Sequence, residues 1–336
     1  MRRLFFLFIY ILTFIQISAK NEDSTDVINN IYFESLKDKL TIYIYGISKF
    51  NDFQLKNTDR NDIIKYSPNS NLNLGLGFNY RWVGIGAAFN FKFINNDNEI
   101  YGETSSMDLQ LDLYSRRVLF TGSMQYYKGF YWKNVDEYYS DWSIEDSVII
   151  RPDISTFTFS TSAIYTFNND KFSFKAAFAN NEWQKKSAGS WLAGSYFSLY
   201  GVNADSTLVP DIAMSSYPLY DSLAALYSYS IGGSFGYAYS LVIKEHFFIS
   251  AALMLGISVQ TYKAQDINAT ILDSGVKLST KSHFRFAIGF NSERMYYGIS
   301  AVADSYLTKN EKQSELSYNF GKIRIFYGYR FNVGDK

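Results

Sequence analysis

The sequence predicts an all-β fold, an antiparallel up-and-down β-barrel, and three observations support this prediction. Apolar and polar residues alternate over stretches of about ten residues, which is typical of β-strands with two unlike faces. Tyr and Phe number 29 each with 5 Trp, so 19% of the 336 residues are aromatic, yet mean hydropathy is only −0.15. Short turns also alternate with long loops along the chain.

The clearest β-hairpin is the segment 71–93, in which Leu and Phe alternate with Asn and Gly. A tight turn at 81–82 would pair Tyr80 with Val83 and place the apolar residues of both arms on one face. The opposite face is small and polar. The same pattern then identifies the remaining strands.

The alternation recurs along most of the chain. It is found in segments 40–45, 107–113, 118–130, 157–167, 172–178, 227–239, 247–259, 284–290, 295–301 and 315–331. Residues Phe172 to Phe178 are interpreted as the second arm of a hairpin that turns at 168–171. In the last segment the apolar parity switches at Gly321, which predicts a β-bulge there.

The connections between these strands have two lengths. Short turns are predicted at 81–82, 115–117, 168–171, 244–246 and 291–294. Polar loops are predicted at 51–70 and 304–314, among others. Placing all short turns at one end gives twelve strands with both termini in the periplasm, provided that 181–226 is an exterior loop or an inward-folded plug. Two further strands within 181–226 would give fourteen.

The chain divides into four segments. Residues 1–19 resemble a secretory signal peptide, with Arg2 and Arg3 before an apolar run and a small residue at Ala19. An N-terminal membrane anchor is the alternative. Residues 20–37 are a polar periplasmic lead-in, residues 38–331 form the barrel, and 332–336 are a short tail.

The surface pattern favours a transmembrane barrel over a soluble sandwich or lipocalin-like barrel. The polar face is rich in Gly, Ser, Ala and Asn and poor in the Lys and Glu that cover soluble surfaces. Tyr and Trp gather near strand ends, for example Tyr80, Trp132 and Tyr262, as an interfacial girdle requires. No apolar run of ~18 residues follows the signal segment, so a membrane crossing would use strands. The expected location is the cell outer membrane, after export.

The composition argues against several classes of function. Lys and Arg balance Asp and Glu at 32 each, so no bulk charge indicates nucleic-acid binding. The chain has no Cys, and no zinc spacing, nucleotide loop or nucleophile elbow is found, so no metal or cofactor is expected. The expected partners are outer-membrane lipid and the barrel-assembly machinery, which the C-terminal segment 328–333 would address, with a small polar solute as a possible ligand.

Several fragments resemble one protein family. They are Lys39-Leu40-Thr41, Tyr66-Ser67-Pro68-Asn69, Leu74-Gly75-Leu76-Gly77-Phe78-Asn79-Tyr80, Tyr126-Tyr127-Lys128-Gly129-Phe130-Tyr131, Gln184-Lys185-Lys186-Ser187-Ala188-Gly189-Ser190 and Gly236-Tyr237-Ala238-Tyr239. Together they look like the uncharacterised domain-of-unknown-function 4421 family of Gram-negative envelope proteins, from about residue 38 to 331. The resemblance implies an outer-membrane barrel and supplies no activity or catalytic residues.

Charged residues on the polar face are the candidate lumen lining. They are Asp108, Asp112, Lys277, Lys281, His283, Arg285, Lys322, Arg324 and Arg330. Acid on one wall and base on the facing wall would set a transverse field that selects polar solutes. This predicts a passive channel or transporter for small polar solutes. Equally, these charges could pair across a plugged lumen, which predicts a non-conducting barrel that anchors, binds or scaffolds at the cell surface.

Enzymatic activity is weighed against these two functions. A nucleophile needs a neighbouring base, and the histidines are His246 in a short turn and His283 on a strand. Ser282 precedes His283 but points to the opposite face, so no dyad forms directly. We therefore expect no catalytic residues, with an outer-membrane lipid-modifying hydrolase as the remaining alternative.

Two charged groups lie in predicted loops. The carboxylates Asp136, Glu137, Asp141, Glu145 and Asp146 are interpreted as a solvated exterior loop rather than a cation site. Lys185 and Lys186 are placed near the outer rim, where they could reach lipid phosphates or simply extend to the interface.

Overall fold

The computed structural model describes residues 31–80, 83–91, 94, 97–139, 148–218, 220–309 and 314–333. The signal segment 1–19, the turn at 81–82 and the end of the tail lie outside the described residues. The strands are β1 Phe33–Ser35, β2 Lys39–Asn57, β3 Ile63–Ser67, β4 Leu72–Tyr80, β5 Val83–Asn90, β6 Ser105–Tyr114, β7 Val118–Trp132, β8 Ile150–Thr166, β9 Glu182–Gln184, β10 Ala188–Asn203, β11 Leu223–Ile243, β12 Phe247–Asp266, β13 Ile271–Asn291, β14 Met295–Lys309 and β15 Ser314–Asn332.

Helical structure in the described residues is limited to short segments between strands. They are an α-helical turn at Asn98–Tyr101, a 3-10 turn at Val135–Glu137, a π-helical turn at Lys175–Ala179 and a 3-10 helix at Asp211–Ser216. None of the described helices has the length and apolar character needed to cross a membrane.

Ten of the described strands form a closed antiparallel ring. Their order is β2, β3, β7, β8, β10, β11, β12, β13, β14 and β15, and β15 pairs with β2 to close the ring. Three further strands of the same sheet lie outside the ring: β4 pairs with β2, β5 with β4, and β6 with β7. The all-β antiparallel barrel is therefore confirmed. The ring has ten of the described strands instead of twelve or fourteen, because β4, β5 and β6 lie outside it and the ring closes through β3, in a segment predicted as a loop.

Strand β3 closes the ring at one end of the barrel. It pairs with β2 through Phe53 to Lys56, and with β7 through Trp132 and Tyr131. We call this the loop end. The opposite end, where Lys39 pairs with Asn332, is the terminal end and carries both described chain ends and the short turns.

Side chains alternate between the outer face and the interior as predicted. Tyr80 pairs with Val83 and Phe78 with Ile85, and the exposed fractions of Phe78 and Ile85 are 41% and 57%. The apolar face is thus outward, because strand residues two apart share a face. Trp132 and Tyr262 are buried, so the girdle prediction was wrong for these two residues.

The segment after β8 is not a strand, contrary to the prediction for 172–178. Residues 167–171 form a turn, and Phe172, Phe174 and Phe178 are buried within the barrel instead of facing outward. Phe174 packs on Phe172 and Phe178, with ring centroids 5.6 and 5.3 Å apart. The alternation in this segment reflects packing inside the lumen, which a period of two residues cannot distinguish from packing outside.

The predicted β-bulge at Gly321 is also absent. The pairing of β15 with β14 and β2 continues without a register shift through Gly321. Leu316, Tyr318 and Phe320 are buried because they face inward near the loop end, where the interior is apolar. The parity switch in the sequence therefore marks a change in what fills the barrel, and the backbone stays regular.

Candidate functional site

Two segments fill the lumen, one at each end. Residues 204–222, described except for 219, fold into the loop end and are called the outer plug. Residues 167–187 fold under the terminal end and are called the inner plug. The region 181–226, expected to be one loop or plug, thus contains both the end of the inner plug and the whole outer plug, separated by strand β10.

The outer plug is held by an apolar core. Leu208 and Val209 are fully buried and share a cluster with Phe53, Tyr66 and Tyr318 from the barrel wall. The rings of Tyr318 and Tyr200 stack 3.9 Å apart. A packed core of this kind displaces water from the loop end of the lumen.

Polar contacts fix the same plug to the wall. Tyr66 donates to the Leu208 carbonyl at 2.9 Å, and Tyr217 donates to the Asp62 carbonyl at 2.7 Å. Arg151 donates to the Thr207 carbonyl at 2.9 Å. Burial raises the pKa of the Tyr217 hydroxyl above its usual value, so Tyr217 stays a neutral donor.

The inner plug is held by the strand ends above it. Arg330 donates to the Asn180 carbonyl at 2.7 Å, and Asn291 donates to the Glu182 carbonyl at 3.0 Å. Phe33 of the lead-in pairs with Gln184 of the plug through β1 and β9. The lead-in therefore belongs to this end of the barrel.

Between the plugs lies a layer of charged residues centred on Asp304. Its Oδ1 atom accepts from Lys281 Nζ at 2.9 Å and contacts His283 Nδ1 at 3.0 Å. Lys281 also lies 4.8 Å from the ring centroids of Tyr196 and Tyr306. The side chains of Lys281, His283 and Asp304 are nearly fully buried, so the charges of Lys281 and Asp304 depend on each other for compensation.

Arg285 extends this layer across the lumen. Its Nε donates to His283 Nε2 at 3.0 Å, and its guanidinium reaches Tyr114 Oη at 3.3 Å and Asp112 Oδ1 at 3.6 Å on β6. The central carbon of the Arg285 guanidinium group lies 5.9 Å from the centroid of the Phe178 ring in the inner plug. Arg285 thus joins β13, β6 and the plug.

The remaining candidate residues all face the interior but are not all part of this layer. Lys322 donates to the Gln110 amide oxygen on β6, and Arg324 lies 5.1 Å from the Phe326 ring. Arg330 holds the inner plug. Lys277 is half-buried and lies closer to the loop end, outside the central cavity.

Asp108 is neutralised by a neighbour on its own side of the barrel. Its carboxylate lies 3.0 Å from Lys49 Nζ of β2 and accepts from Gln125 Nε2 at 2.9 Å. Asp304, which the sequence placed in a loop, neutralises the basic strand β13. Both walls therefore carry charges of both signs, and Arg285 of β13 also reaches Asp112 of β6 across the lumen.

A cavity of about 60 Å³ lies within this layer. Its lining includes Gln110, Asp112, Lys281, Arg285 and Lys322. On one side it is lined by Phe320, which belongs to the apolar core that holds the outer plug. On the other side it is lined by Arg285, which contacts Phe178 of the inner plug. Polar side chains and some space for water therefore lie in the middle of the barrel.

The contacts of His283 indicate a structural role. Its Nδ1 faces Asp304, and its Nε2 already accepts from Arg285. A general base needs a ring nitrogen that can reach a nucleophile. His246 lies in a turn at the terminal end, where its ring stacks on Trp183 with centroids 5.0 Å apart.

Among the loop carboxylates, Glu137 has structural partners, and Asp136 is exposed. Glu137 accepts from Lys65 at 3.3 Å and from Asn134 at 2.9 Å, whereas Asp141, Glu145 and Asp146 lie outside the described residues. The described residues contain no cluster suited to a metal ion. At the terminal end, the Lys39 ammonium lowers the pKa of the Glu293 carboxyl.

Lys185 and Lys186 lie at the terminal end rather than at the outer rim. Lys185 pairs with Glu34 at 2.6 Å and covers the Trp183 ring at 4.8 Å. The sequence analysis placed them at the opposite end because it interpreted residues 172–178 as the second arm of a hairpin that crosses the barrel wall.

Asp304 is the main residue that the sequence interpretation missed. Residues 295–301 alternate with an outward apolar parity, and continuing that parity by three residues places Asp304 inside. Residues 304–314 were predicted as a loop because they are rich in charge, but β14 continues to Lys309 and includes Asp304.

Comparisons with known proteins place the chain in a family. A family model described as Domain of unknown function (DUF4421) matches residues 22–331. A search of curated proteins gives no match.

Solved structures give distant likenesses. The outer membrane protease OmpT from Escherichia coli is 9% identical, with a TM-score of 0.36, covering 92% of this chain and all of that one. The translocator domain of the autotransporter NalP from Neisseria meningitidis is 7% identical, with a TM-score of 0.33, covering 96% and 98%. The toluene transporter TodX of Pseudomonas putida is 7% identical, with a TM-score of 0.26, covering 88% and 90%.

Proposed function

The chain belongs to the domain-of-unknown-function family DUF4421, and on that premise we propose that it is a non-conducting outer-membrane barrel that anchors or binds at the cell surface. The observation that supports this proposal is the filling of the lumen from both ends. A passive channel for small polar solutes needs a continuous aqueous path. The two plugs interrupt that path on either side of the charged layer.

The outer face supports a membrane location. Exposed apolar residues occur on every strand from β10 to β15, including Ile231, Leu255, Leu278 and Ile325, each more than 60% exposed. A continuous apolar outer surface is stable in lipid and costly in water. The terminal end, with its short turns, then faces the periplasm, and the loop end faces the cell exterior.

The charged layer supports a closed interior. Lys322 reaches Gln110, and Arg285 reaches Asp112, so strands from opposite sides of the barrel are tied together. Such contacts resist the separation that an open pore requires. They also give His283 a structural role, and we do not extend the proposal to a hydrolase. Outer-membrane lipid and the assembly machinery remain the proposed partners.

The test is ion conductance across a planar lipid bilayer containing the refolded mature chain. We expect no stable single-channel current. A variant in which 205–221 is replaced by a short Gly-Ser linker should remain closed, because the inner plug is still in place, and removal of both plugs should open the barrel. Steady current through the unmodified protein would contradict the proposal, whatever the variants do.

A further inference from the structure

The barrel wall has a seam between β5 and β6. No β-ladder joins these two strands in the described part of the chain, although β5 is paired to β4 and β6 to β7 on their other edges. Strand β3 closes the ring above them, at the loop end only. In the described residues, one edge of β5 and one edge of β6 therefore have no ladder partner below β3.

Unpaired edges are expensive in a hydrocarbon environment. Each free N–H or C=O group that loses water there costs several kcal/mol, which is why membrane barrels normally have no edges. The free backbone N–H and C=O groups at the seam therefore need hydrogen-bond partners. These are either polar groups of the barrel interior or the polar atoms of a bound molecule. A site that water or a ligand can reach from the side follows from this requirement.

The central cavity borders the β6 side of the seam. Gln110 and Asp112, on the inward face of β6, form part of its lining. The outer and inner plugs close the axial routes to the same cavity, which leaves the gap between β5 and β6 as the route that we infer for a ligand. A ligand that arrives by this route comes from the membrane phase.

The charges of the cavity define the head group of such a ligand. Lys281, Arg285 and Lys322 line the cavity with two carboxylates, those of Asp112 and Asp304, which leaves one excess positive charge. Asp304 forms an ion pair with Lys281, and Asp112 forms one with Arg285. Lys322 instead contacts Gln110, a neutral amide that an anion can replace.

The outer edge of the seam defines the other half of the ligand. Ile85 and Phe89 on β5, and Leu109 and Leu111 on β6, are exposed on the apolar outer face. On the inward side of β5, the hydroxyls of Tyr43 and Tyr45 lie over Gly86 and supply polar atoms beside the seam. The outer face on both sides of the seam is therefore apolar, and the cavity inside carries excess positive charge. This combination suits an amphiphile with an anionic head group.

We propose that the seam between β5 and β6 binds an anionic phospholipid from the membrane. The phosphate accepts a hydrogen bond from Lys322 in place of Gln110, and the acyl chains remain outside along β5 and β6. This proposal rests on the axially closed barrel proposed above. The two proposals can be refuted separately. Ion conductance would refute the closed barrel, whereas the absence of lipid labelling at the seam would refute the lipid site.

The experiment uses the refolded mature chain in phosphatidylcholine vesicles that contain a minor fraction of phosphatidylglycerol with a photoreactive diazirine on its head group. After irradiation, the labelled peptides are mapped by mass spectrometry. We expect label at the peptides containing Gln110 and Lys322. Lys322→Gln should lower this labelling about ten-fold, the change expected when one charge-assisted hydrogen bond to phosphate is lost.

The matched control is Lys277→Gln, which removes an inward lysine that does not line the cavity. It should leave the labelling unchanged. Excess inorganic phosphate in the buffer should not compete, and competition would instead identify free phosphate as the ligand and contradict the proposal.

A second variant tests the route independently of Lys322. The chain has no native Cys, so Ala87→Cys and Leu109→Cys introduce the sole thiols, one on each side of the seam. Closing them with a short bismaleimide should abolish the labelling, while the same protein left unlinked should label normally. Persistent labelling at Lys322 after linkage, or equal labelling of all outward strands, would overturn the proposal.

Discussion

The wall from β10 to β15 and the wall formed by β4, β5 and β6 share one alternating sequence pattern but differ in hydrogen bonding. In the first, the continuous wall, strands of up to 21 residues are paired on both edges. In the second, the seam wall, the strands have 8 to 10 residues. Strand β4 pairs with both β2 and β5, whereas β5 and β6 each have a single partner strand among the described residues. An alternating pattern therefore specifies faces, and pairing depends on strand length and neighbours.

The interior differs between the two walls as well. The continuous wall carries Lys281, His283 and Asp304, which compensate one another within two adjacent strands. The seam wall has Gly75 and Gly77, over which the rings of Tyr45 and Tyr43 lie. Both walls thus bury charge, since Asp108 of β6 is only 4% exposed, and on the seam wall the rings of β2 also cover the glycines of β4.

The first prediction concerns hydrogen exchange and has the largest expected effect. Amides of β5 and β6 that face the seam should exchange with an opening free energy near zero, whereas central amides of β11 and β12 should approach the global value. Residue-level exchange measured by NMR in a membrane mimic would check this. Equal protection of both walls would mean that the seam is closed in the membrane.

The second prediction concerns buried charge. Asp304→Ala should lower the free energy of unfolding by ~3–5 kcal/mol, because Lys281 loses its partner in a dry environment. Urea unfolding in lipid vesicles measures this. Asp112→Asn on the seam wall is the control and should cost less than ~1 kcal/mol, since its side chain is 31% exposed and 3.6 Å from Arg285. A reversed order would remove the distinction between the walls.

The third prediction concerns glycine. In Gly77→Ala the new Cβ would overlap the Tyr43 ring and lie 2.8 Å from the Ile85 carbonyl oxygen, which should cost ~2 kcal/mol of unfolding free energy. Gly233→Ala on β11 meets its nearest atom at 3.7 Å and should change stability by less than ~0.5 kcal/mol. The same urea titration compares them, and similar costs would contradict the role assigned to Tyr43.

The fourth prediction has the smallest expected effect. Lys49→Gln should cost ~1 kcal/mol of unfolding free energy, because the Asp108 carboxylate, 4% exposed, keeps Gln125 as a partner after the ion pair is lost. Lys65→Gln removes an exposed pair with Glu137 and should cost less than ~0.5 kcal/mol. A larger loss at Lys65 would show that the loop end, and not the seam wall, limits stability.

Much of the site could be predicted because strand parity is rigid. The nine charged candidates all face the interior, and the pairing of Tyr80 with Val83 was identified from the sequence. Parity failed where the interior changed character. Phe178 and Tyr318 are apolar because the plugs make the lumen apolar there, so an apolar residue no longer means an outward one.

The sequence by itself determined the all-β class, the outward apolar face and the inward set of polar residues, because these follow from a period of two residues along each strand. The tertiary structure alone decided how the lumen is filled, that Asp304 pairs with Lys281 and His283, and that no ladder joins β5 to β6 in the described part of the chain. These features join residues far apart in the chain, and their geometry depends on contacts that no local pattern encodes.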